Sequence, residues 1–223
     1  MTTAKSYIQI QNMSKKIQGA TVLDSINLEL QSGKIYGFQG KNGSGKTMLF
    51  RAICGLILPS AGEVRIDGER LGADLSFPRS VGILIEYPGF LPQYTGLKNL
   101  MLLASLKEEI GEDEVRTSIA RVGLDPDDKR KFKKYSLGMK QRLGLAQTIM
   151  EDPDLVILDE PTNALDDKGV EMVRDILLDL KQRGKTVLVA SHDKEELDFL
   201  VDEKFTMENG RITKHEVMKK ESV

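Results

Sequence analysis

Residues 40–47 of this chain have the sequence Gly40-Lys41-Asn42-Gly43-Ser44-Gly45-Lys46-Thr47, which fits the pattern G-x-x-x-x-G-K-[ST]. Glycines at these spacings let successive backbone N–H groups turn inward around a phosphate, a geometry that side chains at positive φ oppose. Lys46 can donate a charge-assisted hydrogen bond to the β- and γ-phosphates of a nucleotide, and Thr47 can offer its hydroxyl to Mg²⁺. The nucleotide contacts predicted here are Gly40, Asn42, Gly43, Ser44, Gly45, Lys46, Thr47 and Met48.

The segments on either side of this loop favour a phosphate-binding loop over an ordinary glycine-rich turn. Residues 35–38 before it are apolar and predict a buried strand. Leu49, Ile53 and Leu56 after it recur at helical spacing, so the positive end of a helix would point at the bound anion. The pattern alone should arise by chance in about one chain of this length in a hundred. Its flanks therefore favour the nucleotide-binding interpretation.

A second candidate element is the acidic pair at the end of the apolar segment 155–158, which predicts a buried strand. Ligand groups gather at the carboxyl ends of parallel strands, and neighbouring residues on a strand point to opposite sides. Asp159 can therefore face Mg²⁺ while Glu160 faces an attacking water as general base, a role worth about 10²–10⁴ in rate. The alternative is a solvated acidic turn before Pro161.

The rest of the chain alternates strand-like and helix-like segments. Val64 and Ile66 alternate up to Asp67-Gly68, which predicts a hairpin, and Asn209-Gly210 predicts a turn between two final strands. Residues 97–150 are predicted to be almost entirely helical, and residues 81–85 to form a buried strand.

This pattern predicts an α/β fold of the P-loop NTPase type in a single domain over residues 1–223. We expect a mostly parallel sheet flanked by helices, an N-terminal antiparallel β subdomain and an inserted all-helical subdomain. The nucleotide-binding core with its β subdomain should span residues 1–86 and 151–223, and the helical insertion residues 87–150.

Composition excludes several other classes of protein. The 223 residues are 40% hydrophobic with a net charge of −2, which is incompatible with a disordered chain. No apolar run approaches the ~20 residues of a membrane-spanning helix. A pI of about 5.9 argues against nucleic acid as a partner. The single cysteine, Cys54, and the lack of a secretory leader favour a cytoplasmic location.

Three further segments complete a recognisable order of motifs. They are Tyr135-Ser136-Leu137-Gly138-Met139-Lys140-Gln141-Arg142, Asn163-Ala164-Leu165-Asp166 and Ser191-His192-Asp193. With the glycine-rich loop and the acidic strand end, they resemble the signature, the D-loop and the switch histidine of the ATP-binding subunits of ABC transporters. The resemblance covers nearly the whole chain.

The resemblance implies a head-to-tail dimer of two such subunits, a homo- or heterodimer formed with ATP, with two ATP molecules between them. Ser136 and the backbone around Gly138 would then touch the γ-phosphate bound to the partner subunit. Glu160 would polarise the water, His192 would hold the γ-phosphate with Lys46, and Asp166 would couple the two sites. ATP and Mg²⁺ are the implied cofactors. Integral membrane subunits are the implied partners, and they would hold the chain at the inner face of the cell membrane.

The chain departs from the family pattern at three places. Glu86 stands where the family usually has a glutamine that contacts Mg²⁺ and the water, and a carboxylate cannot donate a hydrogen bond when ionised. With Thr47 and Asp159, Glu86 is a predicted metal ligand that could bind Mg²⁺ more tightly than glutamine, yet repel the γ-phosphate. The signature carries Leu137 and Met139 in place of glycine and glutamine. Ile17 stands where an aromatic residue usually stacks on adenine, so apolar packing from Ile17 and Val22 would replace the stack, with weaker base selectivity.

The segments around Glu86 and the signature resemble the branch of bacitracin- and lantibiotic-type peptide export and immunity transporters. Three alternatives stay open: a soluble ABC ATPase of translation or DNA repair, a small-molecule kinase on the same loop, and a non-catalytic nucleotide-binding regulator. Tyr87, Phe90, Leu91 and Tyr94, which cluster in sequence near Glu86, are either core of the helical insertion or the lining of a groove for a membrane subunit.

Overall fold

The computed structural model describes residues 6–86, 88–192 and 194–218; Tyr87 and Asp193, named above, lie outside them. The strands are β1 (Ser6–Ile17), β2 (Ala20–Gln31), β3 (Ile35–Gln39), β4 (Ala61–Ile66), β5 (Glu69–Arg70), β6 (Val81–Leu84), β7 (Leu155–Asp159), β8 (Thr186–Ser191), β9 (Glu203–Glu208) and β10 (Arg211–Val217). The helices are α1 (Lys46–Ile53), α2 (Gly96–Ala104), α3 (Glu112–Arg121), α4 (Leu137–Ile149), α5 (Asp167–Gln182) and α6 (Lys194–Leu200), with a 3₁₀ turn at Phe132–Lys134.

The main sheet is six-stranded, in the order β10-β9-β3-β8-β7-β6. Its pairs are parallel except for the final β9–β10 hairpin, which turns at Asn209-Gly210 as predicted. Strands β7 and β8 are buried along their apolar residues, as expected for parallel strands covered on both faces. The predicted α/β fold is confirmed.

A smaller antiparallel sheet, in the order β2-β1-β4-β5, forms the predicted β subdomain. The Asp67-Gly68 turn joins β4 to β5, and both residues have positive φ, at 50° and 87°. These are the backbone angles that a two-residue hairpin with the right-handed strand twist requires. The hairpin prediction is therefore confirmed.

The region between β6 and β7 is less helical than the sequence predicts. Helices α2, α3 and α4 are separated by non-helical residues 105–111 and 122–136, apart from the 3₁₀ turn. Gly111 caps the start of α3, and Gly123 follows its end with φ of 73°, so glycines interrupt the apolar periodicity. Phe90 packs edge-on against Phe132, with ring centroids 5.2 Å apart, and therefore belongs to the core of this region.

Two hydrophobic clusters cover the two faces of the main sheet. Leu155 and Ile157 of β7 join the cluster that contains Phe38 and Phe50, whereas Val156 and Leu158 join the cluster on the other face. This alternation fixes the directions of the residues that follow on the strand. Because β3, β7 and β8 are parallel and in register at their ends, residues 40, 160 and 192 leave the sheet at one edge.

Candidate nucleotide-binding site

The glycine-rich loop runs from the end of β3 to the start of α1. At two of its glycines, Gly40 and Gly45, neighbouring atoms lie too close to leave room for a side chain. Gly45 has φ of 106° and caps α1, and a Cβ there would lie 3.2 Å from the carbonyl oxygen of Val22. A Cβ on Gly40 would lie 2.5 Å from the carbonyl oxygen of Met207. Larger side chains are therefore excluded at both positions, which keeps the backbone N–H groups of the loop close to the cleft.

Lys46 and Thr47 lie at the first turn of α1 and are already engaged with the site. The Lys46 side chain is buried, with 6% of the residue exposed, and its Nζ donates to the carbonyl oxygen of Gly40 at 2.6 Å. Thr47 Oγ1 donates to Asp159 Oδ2 at 2.5 Å. The structure thus joins the loop to the carboxylate of β7, as the sequence predicts for a shared metal site.

Burial raises the pKa of the Asp159 carboxyl above its usual value. The hydrogen bond from Thr47 and the charge of Lys46 oppose this rise in pKa, while the negative charge of Glu86 adds to it. A cation bound beside Asp159 would reverse the balance, since it favours the ionised carboxylate.

Glu160 follows β7 with φ of 52°, and its carboxylate faces His192. Its Oε2 lies 2.8 Å from His192 Nδ1, whereas its Oε1 is buried and lacks a hydrogen-bond partner among the described residues. Gln141 of α4 donates from Nε2 to the carbonyl oxygens of Glu160 at 3.2 Å and Pro161 at 3.0 Å. Gln141 therefore fixes the backbone that aims the Glu160 carboxylate.

A cleft of about 760 Å³ gathers most of the predicted residues, and its size suits a nucleotide. The predicted residues among its lining are Val22, Asn42, Gly43, Ser44, Gly45, Lys46, Thr47, Met48, Glu86, Asp159 and Glu160. The other residues of its lining, which the sequence did not predict as nucleotide contacts, are Thr21, Leu137, Gln141, Asn163, Ala164, Asn209 and Gly210. Gly40 and His192 line an adjoining cleft of about 620 Å³ that shares the loop residues Asn42, Gly43 and Ser44.

Four predicted residues lie outside the lining of both clefts. Ile17 ends β1 and is 39% exposed. Ser136 caps α4 by accepting from the Met139 N–H at 3.2 Å, and Gly138 packs so closely that a Cβ would lie 2.9 Å from the Ala164 carbonyl oxygen. Asp166 caps α5 by accepting from the Gly169 N–H at 3.0 Å. Asp166 also pairs with Arg142 Nη2 at 3.3 Å, so within this chain it stabilises a helix terminus.

The side chains of the cleft fit a magnesium-complexed nucleotide. Ser44 Oγ is buried and, like Glu160 Oε1, lacks a hydrogen-bond partner among the described residues. Buried polar atoms of this kind need a partner, and phosphate oxygens or water can supply it. Among the described residues no cluster of three His, Cys, Asp or Glu could hold a metal. The pair Thr47–Asp159 suits Mg²⁺ nevertheless, because Mg²⁺ binds few protein oxygens and completes its shell with water and phosphate.

A fold with its phosphate loop at the carboxyl edge of a parallel sheet belongs to the P-loop nucleoside triphosphatases. The family model described as ABC transporter matches residues 23–163, more than half of the chain. The chain belongs to this family as an ATP-binding subunit.

Relatives with known names support the assignment. The ABC transporter ATP-binding protein YybJ of Bacillus subtilis is 49% identical over 96% of this chain and 100% of its own. The bacitracin transport ATP-binding protein BcrA of Enterococcus faecalis is 38% identical over 92% of this chain and 67% of its own. The lantibiotic transport ATP-binding protein SrtF of Streptococcus pyogenes is 34% identical over 87% of this chain and 84% of its own.

A solved structure shares the fold. The ATP-binding cassette MJ0796, described as a dimer in a post-hydrolysis state bound to ADP and Pi, superimposes with a TM-score of 0.86 over 96% of this chain and 99% of its own, at 24% identity. Within the described residues, no helix has the length and apolar character needed to cross a membrane.

Proposed function

We propose that this chain binds Mg·ATP in the 760 Å³ cleft and hydrolyses it to drive a transporter formed with separate integral membrane subunits. The observation that carries the proposal is the convergence of Lys46, the Thr47–Asp159 pair and the Glu160–His192 pair at one edge of the sheet. The family assignment favours this function over a soluble ABC ATPase of translation or DNA repair.

Each group at this edge has a role that its chemistry supports. Loop N–H groups and Lys46 bind the β- and γ-phosphates, and Thr47 with Asp159 holds Mg²⁺. Bound Mg²⁺ neutralises charge on the phosphate oxygens. Glu160 accepts the proton of the attacking water, and His192 holds the Glu160 carboxylate in position by donating to it from Nδ1. To hold the γ-phosphate as well, His192 must also carry a proton on Nε2, because phosphate oxygens only accept hydrogen bonds.

A second subunit completes the site in this proposal. Ser136 and Gly138 lie at the N-terminus of α4 and, unlike Leu137 between them, do not line the cleft of their own chain, so we expect them to face the nucleotide of another subunit. The N–H groups at a helix N-terminus favour an anion. The dimeric description of MJ0796, a protein of the same fold, supports a pair of subunits. Asp166 couples the two sites from the start of α5.

The membrane subunits are proposed to dock beside Glu86, and the chain is thereby peripheral to the inner face of the membrane. Leu91 and Tyr94 are exposed, by 43% and 38%, on the segment that follows Glu86, and they provide apolar contact for a partner helix. The names of BcrA and SrtF support a peptide antibiotic as the transported substrate, either bacitracin-like or lantibiotic-like.

Two measurements test this function. The purified chain should release phosphate from ATP only when Mg²⁺ is present, and it should co-purify from cells with an integral membrane protein. Co-purification with ribosomes or DNA instead would contradict the transporter role. Phosphoryl transfer from ATP to an acceptor other than water would contradict the ATPase assignment and favour the kinase alternative.

Nucleotide selectivity should be weak, because no aromatic residue lines the described part of the cleft beside Thr21 and Val22. We expect ATP and GTP to bind with dissociation constants within about tenfold of each other, a difference of ~1.4 kcal/mol. Replacing Ile17 with tyrosine should strengthen ATP binding at least fivefold, since base–aromatic stacking contributes about 1–3 kcal/mol. Titration of each nucleotide by calorimetry measures both effects.

The matched control for this substitution is Leu106→Tyr. Both residues are exposed, but Ile17 pairs with Ala20, next to the cleft residues Thr21 and Val22, whereas Leu106 follows α2 in the helical region. It should leave both affinities unchanged. If Ile17→Tyr also leaves ATP affinity unchanged, Ile17 does not face the adenine and the base contacts belong to Thr21 and Val22 alone.

A further inference from the structure

Glu86 lies at the rim of the nucleotide cleft, and one cation of the phosphate-loop helix holds its carboxylate. Arg51 Nη2, in the last turn of α1, lies 2.8 Å from Glu86 Oε1. Both side chains are partly open to solvent, 34% for Arg51 and 62% for Glu86. The Glu86 backbone is in the left-handed region, with φ of 62°, which is unusual for a residue with a side chain.

The negative charge of Glu86 opposes the binding of a triphosphate, whereas a neutral glutamine would not. The cleft already contains the carboxylates of Asp159 and Glu160, and its proposed ligand carries the negative charge of a triphosphate. A third carboxylate would repel the γ-phosphate. Without compensation, Glu86 would weaken triphosphate binding more than diphosphate binding, because the γ-phosphate is the group nearest the metal-binding edge.

Arg51 supplies that compensation within the chain. Its Nη2 lies 2.8 Å from Glu86 Oε1, so its positive charge sits directly against the carboxylate that would repel the triphosphate. The pair therefore presents less net charge to the cleft than Glu86 alone would. Arg51 lies five residues after Lys46 on α1. One helix therefore carries both the lysine of the phosphate loop and the arginine that pairs with Glu86.

We propose that Arg51 is a positioning residue that neutralises Glu86 and holds its carboxylate at the rim, so that the pair acts toward the triphosphate as a neutral glutamine would. This inference rests on the proposed function, since it concerns the same cleft and the same ligand. Glu86 can occupy its position because Arg51 pairs with it. Removal of the guanidinium should therefore weaken ATP binding when residue 86 is glutamate, but not when it is glutamine.

The test is a double-mutant cycle read by equilibrium binding of ATP and ADP, without Mg²⁺, so that phosphate repulsion is measured directly. Arg51→Met should weaken ATP binding about fivefold at low salt, near the upper end for one exposed charge pair, and ADP binding less than twofold. Adding Glu86→Gln to Arg51→Met should restore ATP affinity to within twofold of the wild type. The loss should shrink at 0.5 M salt, since exposed charges are screened.

The ion pair between Arg79 and Glu69 provides the control. It is similarly exposed, with Nη2–Oε1 at 2.6 Å, but neither residue lines the cleft. Arg79→Met and its combination with Glu69→Gln should leave both affinities unchanged. Melting temperatures of all variants separate loss of folding from loss of binding.

Three outcomes would overturn the inference alone and leave the proposed function in place. An unchanged ATP affinity in Arg51→Met would show that Glu86 needs no compensation. A loss that Glu86→Gln does not restore would show that Arg51 contacts the phosphates itself. Equal losses for ATP and ADP would indicate a general distortion of α1. A wild-type chain that binds neither nucleotide would overturn the proposed function, and the inference with it.

Discussion

Replacing Lys46 with alanine should abolish ATP binding. The Lys46 ammonium is buried at the mouth of the loop, where it donates to the carbonyl oxygens of Gly40 at 2.6 Å and Lys41 at 3.4 Å. Those bonds hold the cation where the phosphates are proposed to lie. Each charge-assisted hydrogen bond contributes about 1.5–3 kcal/mol, and Lys46 makes such bonds to two phosphate groups in this proposal. We expect affinity to fall at least hundredfold.

Calorimetric titration with Mg·ATP measures this loss, and Lys41→Ala is its control. Lys41 belongs to the same loop but its side chain is exposed, so its removal should change affinity by less than about threefold, the effect of one surface charge. A circular dichroism spectrum identical to that of the wild type shows that the fold is kept. Micromolar affinity retained in Lys46→Ala would contradict the phosphate-loop assignment.

The phosphate loop and the acidic strand end could be predicted from sequence because their chemistry is local. Eight consecutive residues specify the loop, and the strand β7 delivers Asp159 and Glu160 to the edge where the loop also lies. Parallel pairing then brings Thr47 to Asp159, 112 residues away, without any further information from the sequence. The period-two alternation of β7 likewise predicted that the two carboxylates point apart.

Contacts that depend on how the helical region sits against the sheet could not be predicted. Gln141 reaches the Glu160 carbonyl across 19 residues, and Arg51 reaches Glu86 across 35. A polar residue on a helix gives no sequence signal that distinguishes a solvated side chain from one that holds a loop. The place of Gln141 within the signature segment is the one sequence signal that could have indicated its role, and its burial on α4 is seen only in the structure.

The extent of the helices was overestimated for a related reason. Leucines and other apolar residues continue at helical spacing through most of residues 97–150, and periodicity alone does not mark where the chain leaves a helix. Gly111 and Gly123 were the available stop signals. Likewise β6 ends at Leu84, one residue before the predicted strand end, because the chain turns toward Glu86 and its positive φ.

Replacing Glu160 with glutamine should trap ATP without turnover. The amide has nearly the shape of the carboxylate, and Gln141 holds the backbone at residue 160 rather than its side chain, so the site should keep its geometry. Lys46, Thr47 and Asp159 are unchanged, so ATP should still bind. The amide cannot accept a proton from water, and loss of a general base lowers the rate by about 10²–10⁴.

Two measurements on Glu160→Gln separate catalysis from association. Phosphate release should fall by about 10²–10⁴. Size-exclusion chromatography with ATP should show a persistent dimer, because the proposed head-to-tail pair separates only after hydrolysis. The control is Glu208→Gln, since Glu208 lines the adjoining cleft with His192 but lies apart from the Thr47–Asp159 pair. It should hydrolyse ATP at the wild-type rate. A Glu160→Gln chain that stays monomeric with ATP would contradict the proposed dimer, and one that hydrolyses normally would refute Glu160 as the base.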